Sequence, residues 1–156
     1  MRRLIVHPEN PQARLIHQAA QALRDGDLVI MPTDACAVIS VSMAHKTAVD
    51  RLRTVRQLSE KHLLTLLCPD LSALATYAKV DDVAFRFLKA WTPGPYTFIL
   101  NASKQVPRRL WHPSRKTIGL RVPKHPVVMA LLQAFGEPLL PWTKTGSKSS
   151  RSMPSR

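Results

Sequence analysis

Trp91-Thr92-Pro93-Gly94-Pro95-Tyr96-Thr97-Phe98-Ile99-Leu100 reads as a tight turn that feeds directly into a strand. Pro93 and Pro95 fix φ and remove two backbone donors, so a preceding helix stops here. Gly94 can take the positive φ that such a turn often needs. Residues 96–100 are rich in aromatic and β-branched side chains, the composition of a buried central strand. A run of cations follows: Lys104, Arg108, Arg109, Arg115, Lys116, Arg121 and Lys124, with no acid between Asp82 and Glu137. A core strand followed by a solvated loop accounts for the strand alone. The single-sign clustering is the electrostatic footprint of a phosphate-binding surface and brings the two readings level.

Upstream of the turn, Val83, Ala84, Phe87, Leu88 and Trp91 share one face of a helix capped by Asp81 or Asp82. Residues 71–75 form a shorter helix and 63–67 a buried strand. A polar loop, 56–62, precedes that strand. In it His62 is either a phosphate or carboxylate donor or, more simply, a satisfied structural residue. Residues 47–57 form a basic helix with Ala48, Val49, Leu52 and Val55 inward and Arg51, Arg53 and Arg56 outward. Residues 28–31 are continuously apolar, which predicts a strand covered on both sides. Pro32-Thr33-Asp34 then turns the chain into the next strand, 35–41. Ligands of open α/β sheets sit beyond such strand ends, although Thr33 and Asp34 taken alone read as turn formers. Further upstream, Asn10 caps a helix with Pro11 at its first position, and residues 3–7 form a short strand.

Downstream, Lys116, Ile118, Leu120 and Val122 alternate with Thr117, Gly119 and Arg121, a strand pattern. Pro126 opens a helix that Gly136 closes, and residues 138–140 begin another strand. From Pro141 onward there is no periodicity and no acid, only a Ser-, Lys- and Arg-rich stretch. A domain over 1–140 and a basic, disordered tail over 141–156 are therefore expected. Because the tail interrupts a strand that has just begun, it reads as a truncated or frame-shifted end, with a basic RNA-binding arm as the competing reading.

A length of 156 residues suits one domain. The net charge is +13, of which +9 remains without the four cations of 141–156. Such a chain attracts polyanions. Cys36 and Cys68 have neither disulfide-framework nor metal spacing, which suits a reducing compartment. No apolar run approaches the roughly 18 residues of a membrane span, and the N-terminus lacks a signal-peptide core. A soluble cytoplasmic protein is expected. The glycine-rich dinucleotide and phosphate loops are absent, as is the Gly-x-Ser-x-Gly nucleophile turn. The six histidines show no pair at metal-ligand spacing, so no metal site is expected. Acids are too sparse for a paired-carboxylate mechanism, so any bound ATP would be held by basic side chains and turn amides.

The order of these elements resembles the YrdC-like family, the threonylcarbamoyl-AMP synthase group, and within it the YciO branch. The resemblance runs from about Ile5 to Leu140. It rests on Met31-Pro32-Thr33-Asp34, Arg56-Gln57-Leu58, Leu63-Leu64-Thr65-Leu66-Leu67, Thr92-Pro93-Gly94-Pro95-Tyr96-Thr97-Phe98, Ile118-Gly119-Leu120-Arg121-Val122-Pro123 and His125-Pro126. It implies an α/β fold with a twisted mixed sheet flanked by helices and a positively charged concave face. It also implies binding of double-stranded RNA or tRNA. For active members it implies a nucleotidyltransferase-type synthesis of threonylcarbamoyl-AMP from L-threonine, bicarbonate and ATP with Mg²⁺, feeding modification of adenosine 37 in tRNA. Threonine is carboxylated on nitrogen and the carbamate attacks the α-phosphate, a step that needs cations against the developing phosphate charge.

Carried over by position, Thr33 resembles the family's threonine-side contact and Arg56 the first member of its Lys-x-Arg pair. His62 precedes the substrate-lining strand, and Thr65 stands on it. Thr97 and Arg121 match positions near the nucleotide. Lys104, Arg108, Arg109, Arg115, Lys116 and Lys124 are the expected RNA contacts. No catalytic residue is assigned. Leu58 replaces the second basic residue of the pair, a change the YciO branch shares. Ala37 and Val38 stand where an aromatic residue and a glycine are usual. The Ser-Thr-Ser-x-Asn segment expected after Leu140 is Pro141-Trp142-Thr143-Lys144-Thr145. These departures lead to the expectation of an RNA-binding relative with weak or no catalysis, the alternative being an active L-threonylcarbamoyladenylate synthase.

Overall fold

The structure is a computed structural model that describes residues 2–143 except 56 and 58–61. The expected tail from residue 144 onward and the Arg56 and Leu58 positions therefore lie outside the described residues. Among the described residues five helices and six strands follow one another: α1 (Ala13–Arg24), β1 (Val29–Pro32), β2 (Ala37–Ser42), α2 (Lys46–Val55), β3 (Thr65–Leu67), α3 (Leu71–Tyr77), α4 (Asp82–Trp91), β4 (Phe98–Asn101), β5 (Thr117–Arg121), α5 (Pro126–Phe135) and β6 (Leu139–Thr143). A short 3₁₀ turn, Arg108–Leu110, lies between β4 and β5.

The strands form one mixed sheet in the order β1-β2-β6-β3-β5-β4. Only the β3–β5 pair is parallel. The alternation of side chains along each strand sorts two cores. Leu66, Ile118, Leu120, Val122 and Leu140 belong to the face packed with α2, α3 and α4. Leu67, Leu139, Val38 and Met31 belong to the opposite face, under α1 and α5. Helix caps fall where short polar side chains allow them. Asp70 accepts from Ala73 N at 2.8 Å and Asp81 from Ala84 N at 2.7 Å. His125 caps α5, and Gly136 ends it at φ +82°.

Several expectations are corrected. The strand following the Pro-Gly-Pro turn is an edge strand, not a central one, and Ile99 is 56 % exposed. Aromatic and β-branched residues fit any half-buried pleated surface, so composition could not separate edge from centre. Likewise β1 is the opposite edge rather than doubly covered, with Met31 buried and Ile30 exposed. On α4 only Leu88 is buried, and the half-exposed Phe87 packs edge-on against Phe98 of β4. Residues 3–7 join no strand. His7 instead organises a turn, its Nδ1 accepting from Asn10 N at 2.9 Å while its own N–H donates to Gln12 Oε1. Helix α1 accordingly starts at Ala13, after Gln12, rather than on Asn10. The last strand runs past residue 140 to Thr143, paired with β2 through Ser40↔Pro141 and Val38↔Thr143. Among the described residues only Leu139 pairs with β3, a placement that tolerates Pro141 further along β6.

Candidate functional site

Thr65, Gly119 and Arg121 are out of phase with the core residues Leu66 and Leu120. Their side chains therefore leave the sheet on the face opposite α2–α4. The buried residues under α1 and α5 include Leu67 of β3 but none from β4 or β5. The result is a trough floored by β3 and β5 and bordered by the residues leading into β4. Gly119 is its closest point. A Cβ there would lie 2.7 Å from Thr65 Oγ1, 3.1 Å from Thr97 Cγ2 and 3.2 Å from Leu64 O. Thr65 and Thr97, distant in sequence, are thus brought together across a glycine. A glycine within a strand often marks such a close approach.

Arg121 occupies the end of β5 and is 8 % exposed. Its Nη2 forms an ion pair with Asp34 Oδ1. Its Nε donates to Gly94 O at 3.4 Å, and Gly94 N in turn donates to Val122 O at 2.8 Å. Asp34 Oδ2 accepts from Lys124 N at 3.0 Å. A near-buried pair of this kind costs about 3–5 kcal/mol to break from one side, because the remaining charge is left without compensation.

Thr33 stands beside Asp34, but its hydroxyl is engaged in the hairpin tip. It donates to Cys36 O at 2.7 Å and accepts from Cys36 N and Ala35 N. His62 lies on the other side of the sheet, edge-on to Trp142 with ring centroids 4.9 Å apart. Burial first, and the nearby Arg53 charge second, hold its pKa below the usual 6.5. The structure therefore brings Thr65 and Thr97 together at Gly119, sets Arg121 two residues further along β5 with Asp34, the neighbour of Thr33, and leaves His62 apart. Arg56 lies outside the described residues. Asp34 and Gly119 were not singled out as site residues by sequence reasoning. The in-phase position of Gly119 with Arg121 was the available signal for one. A partner 87 residues away left none for the other.

The expected RNA contacts do not line the trough. The 3₁₀ turn carrying Arg108 and Arg109 packs through Leu110 on the α2 side. Arg109 donates to Met43 O at 3.1 Å, and Arg53 of α2 donates to Arg109 O at 3.3 Å. Arg108 lies over the Trp111 ring, 5.9 Å from its centroid. Lys104, Arg115 and Lys116 are exposed around the same loop, and Lys116 adopts φ +56°. Lys124 alone borders the trough, through its backbone.

Fold and site together define a mixed-sheet α/β domain with a guanidinium fixed at the end of β5, two residues along the strand from a close-packed glycine. Residues 21–152 match the Sua5_yciO_yrdC family, described as telomere recombination, and the chain belongs to that Sua5/YciO/YrdC family. It is 51 % identical over 135 residues to the uncharacterized protein YciO of Escherichia coli strain K12, covering 86 % of this chain and 66 % of that protein. The crystal structure of E. coli YciO superposes with a TM-score of 0.86 at 49 % identity, over 91 % of this chain and 70 % of the other. A threonylcarbamoyl-AMP synthase of Vibrio vulnificus strain YJ016 is 30 % identical over 127 residues, 80 % of this chain and 68 % of that enzyme. P. abyssi Sua5 complexed with L-threonine shares the fold, with a TM-score of 0.80 at 24 % identity over 90 % of this chain and 42 % of that one. The chain spans about two-thirds of the length of the curated relatives it matches. Among the described residues, no helix is long and apolar enough to cross a membrane.

Proposed function

We infer that this chain is a YciO-type protein that binds double-stranded RNA or tRNA and has weak or no threonylcarbamoyl-AMP synthase activity. The observation that carries the reading is charge compensation. Among the described residues, Arg121–Asp34 is the only ion pair in a chain of net charge +13. The cations of α2 and of the 104–116 loop meet on one surface through Arg53 and Arg109. Such a surface suits a phosphate backbone, whose binding weakens steeply with salt. The test is titration of a duplex RNA and of a tRNA at two salt concentrations, with charge reversal at Arg108 and Arg115. Unchanged affinity would reduce the patch to a solvated face.

A second reading, an active synthase, is favoured by the approach of Thr65 and Thr97 at Gly119, on the strand that ends in Arg121, and by the kinship to proteins named threonylcarbamoyl-AMP synthase. In this reading the trough takes L-threonine and the nucleotide. Among the described residues no three His, Cys, Asp or Glu side chains are placed to hold a metal ion, and Asp34 is committed to Arg121. Mg²⁺ would therefore enter on the phosphates of ATP, as it commonly does, and shield their charge. Pyrophosphate release that requires both L-threonine and bicarbonate is the expected result for this reading. No release from folded protein leaves the RNA-binding reading.

A further inference from the structure

A cavity of about 260 Å³ opens at the end of β2 away from the hairpin tip of Thr33 and Asp34, lined by Arg24, Ser42, Ala44, His45, Phe135 and Glu137. The ends of α1, α5 and β2 meet there with the turn that leads into α2. Ser42 shares its face of β2 with Val38, the face covered by α1 and α5. It is 4 % exposed, and among the described residues no hydrogen bond engages its hydroxyl. A buried hydroxyl without a partner is costly unless something else supplies one. Ala44 and His45 immediately precede the ten-residue helix α2, so the cavity lies before its first turn. Val49 N donates to His45 O, but among the described residues the amides of Lys46, Thr47 and Ala48 have no acceptor. Such amides, together with the helix dipole, favour an anion.

Arg24 supplies a fixed cation. Its Nη2 donates to Ala134 O at 2.9 Å, and its guanidinium lies 5.6 Å from the Phe135 ring centroid. The other donors of the fork are left for a ligand. The His45 ring is seated against Gly26, where a Cβ would lie 2.5 Å from it. Glu137 shares the cavity with Arg24, yet among the described residues the two form no ion pair. A carboxylate in an anion site repels an ion that has lost all its protons and accepts from one that keeps an O–H.

We propose that this cavity binds a phosphate group that retains a proton. The α2 amides, the Ser42 hydroxyl and Arg24 donate to its oxygens, and its P–OH donates to Glu137. Sulfate has the same shape but carries no proton at neutral pH, so Glu137 sets the two apart. Binding there needs neither Arg121 nor the 104–116 loop.

The experiment titrates the full ¹⁵N-labelled chain with inorganic phosphate, sulfate and methyl phosphate at neutral pH and constant ionic strength. Phosphate is expected to shift the amides of Ser42, Lys46, Thr47 and Ala48, and to bind about tenfold or more tightly than sulfate. Arg24→Gln should raise the phosphate Kd about ten- to a hundredfold, the size of a lost charged hydrogen bond, and Ser42→Ala about two- to tenfold. Glu137→Gln, at an exposed position, covers the case in which those variants do not fold. Its side-chain amide can donate to sulfate, so the preference for phosphate should disappear. Methyl phosphate names the source: binding at least as tight as phosphate assigns a phosphomonoester, and weaker binding the free ion. Shifts confined to the 104–116 loop, equal affinity of the wild-type chain for sulfate and phosphate, or an unchanged preference in folded Glu137→Gln would overturn the proposal.

Discussion

Gly119 is the residue on which the trough depends most directly. Gly119→Ala would drive a methyl into Thr65 Oγ1, Thr97 and the Leu64 carbonyl. Overpacking of this kind costs about 1–3 kcal/mol, measurable by urea unfolding, and Thr65→Ala in the same chain should recover part of it. The two cysteines should separate in a thiol titration. Burial first and Asp70 second push the Cys68 thiol up to about 12, so it should resist alkylation at pH 8 in folded protein. Exposed Cys36 should react, giving a stoichiometry of one that rises to two on denaturation. His62 titrates in the opposite sense to a salt-bridged histidine. Its folded pKa lies below the unfolded 6.5, so the unfolded chain binds the proton first. Stability should then fall as pH drops below 6.5, with most of the loss above the folded pKa. His62→Gln should flatten that limb of the stability–pH curve. At this scale the motifs named Thr65, Thr97 and Arg121, and the structure sets Thr65 and Thr97 on either side of Gly119. The Asp34–Arg121 pair was not legible, because no local pattern links a turn residue to a strand end 87 positions away.

Helix α5 is the element the sequence specified most completely, and its ends explain why. His125 Nδ1 accepts from Val127 N at 3.2 Å, Pro126 occupies the first turn, and Gly136 takes a left-handed φ of +82°. His125→Ala should cost about 1 kcal/mol in unfolding free energy, whereas Asn at that position should retain most of the cap. The strands were harder to place. Their existence followed from apolar runs, but their rank in the sheet did not. The turn at Pro93–Pro95 was read correctly as a helix stop, and the strand after it was put at the centre although it forms an edge. Nothing in an isolated run of aromatic and β-branched residues reports how many neighbours it will have.

For the molecule as a whole, the charge and the sheet order carry the consequences. Arg109 is tied to the backbone of Met43, so its reversal would confound folding with binding. Exposed Arg108 and Arg115 are the cleaner pair. Reversing both should weaken duplex RNA binding and reduce the slope of log K against log salt by about 0.9 for each phosphate that is no longer neutralised. Composition showed the basic character but not that its loop sits on the α2 side, away from the trough, because charge counts carry no direction. The sheet order holds one more consequence. β6 is the last of the six described strands, yet it stands between β2 and β3 and links them in the sheet. On a ribosome the β1–β2 hairpin and the β3–β5–β4 group cannot be joined into one sheet until β6 has emerged from the exit tunnel. Nascent chains stalled before that point should be open to protease between β2 and β3, and those stalled well beyond it should be closed.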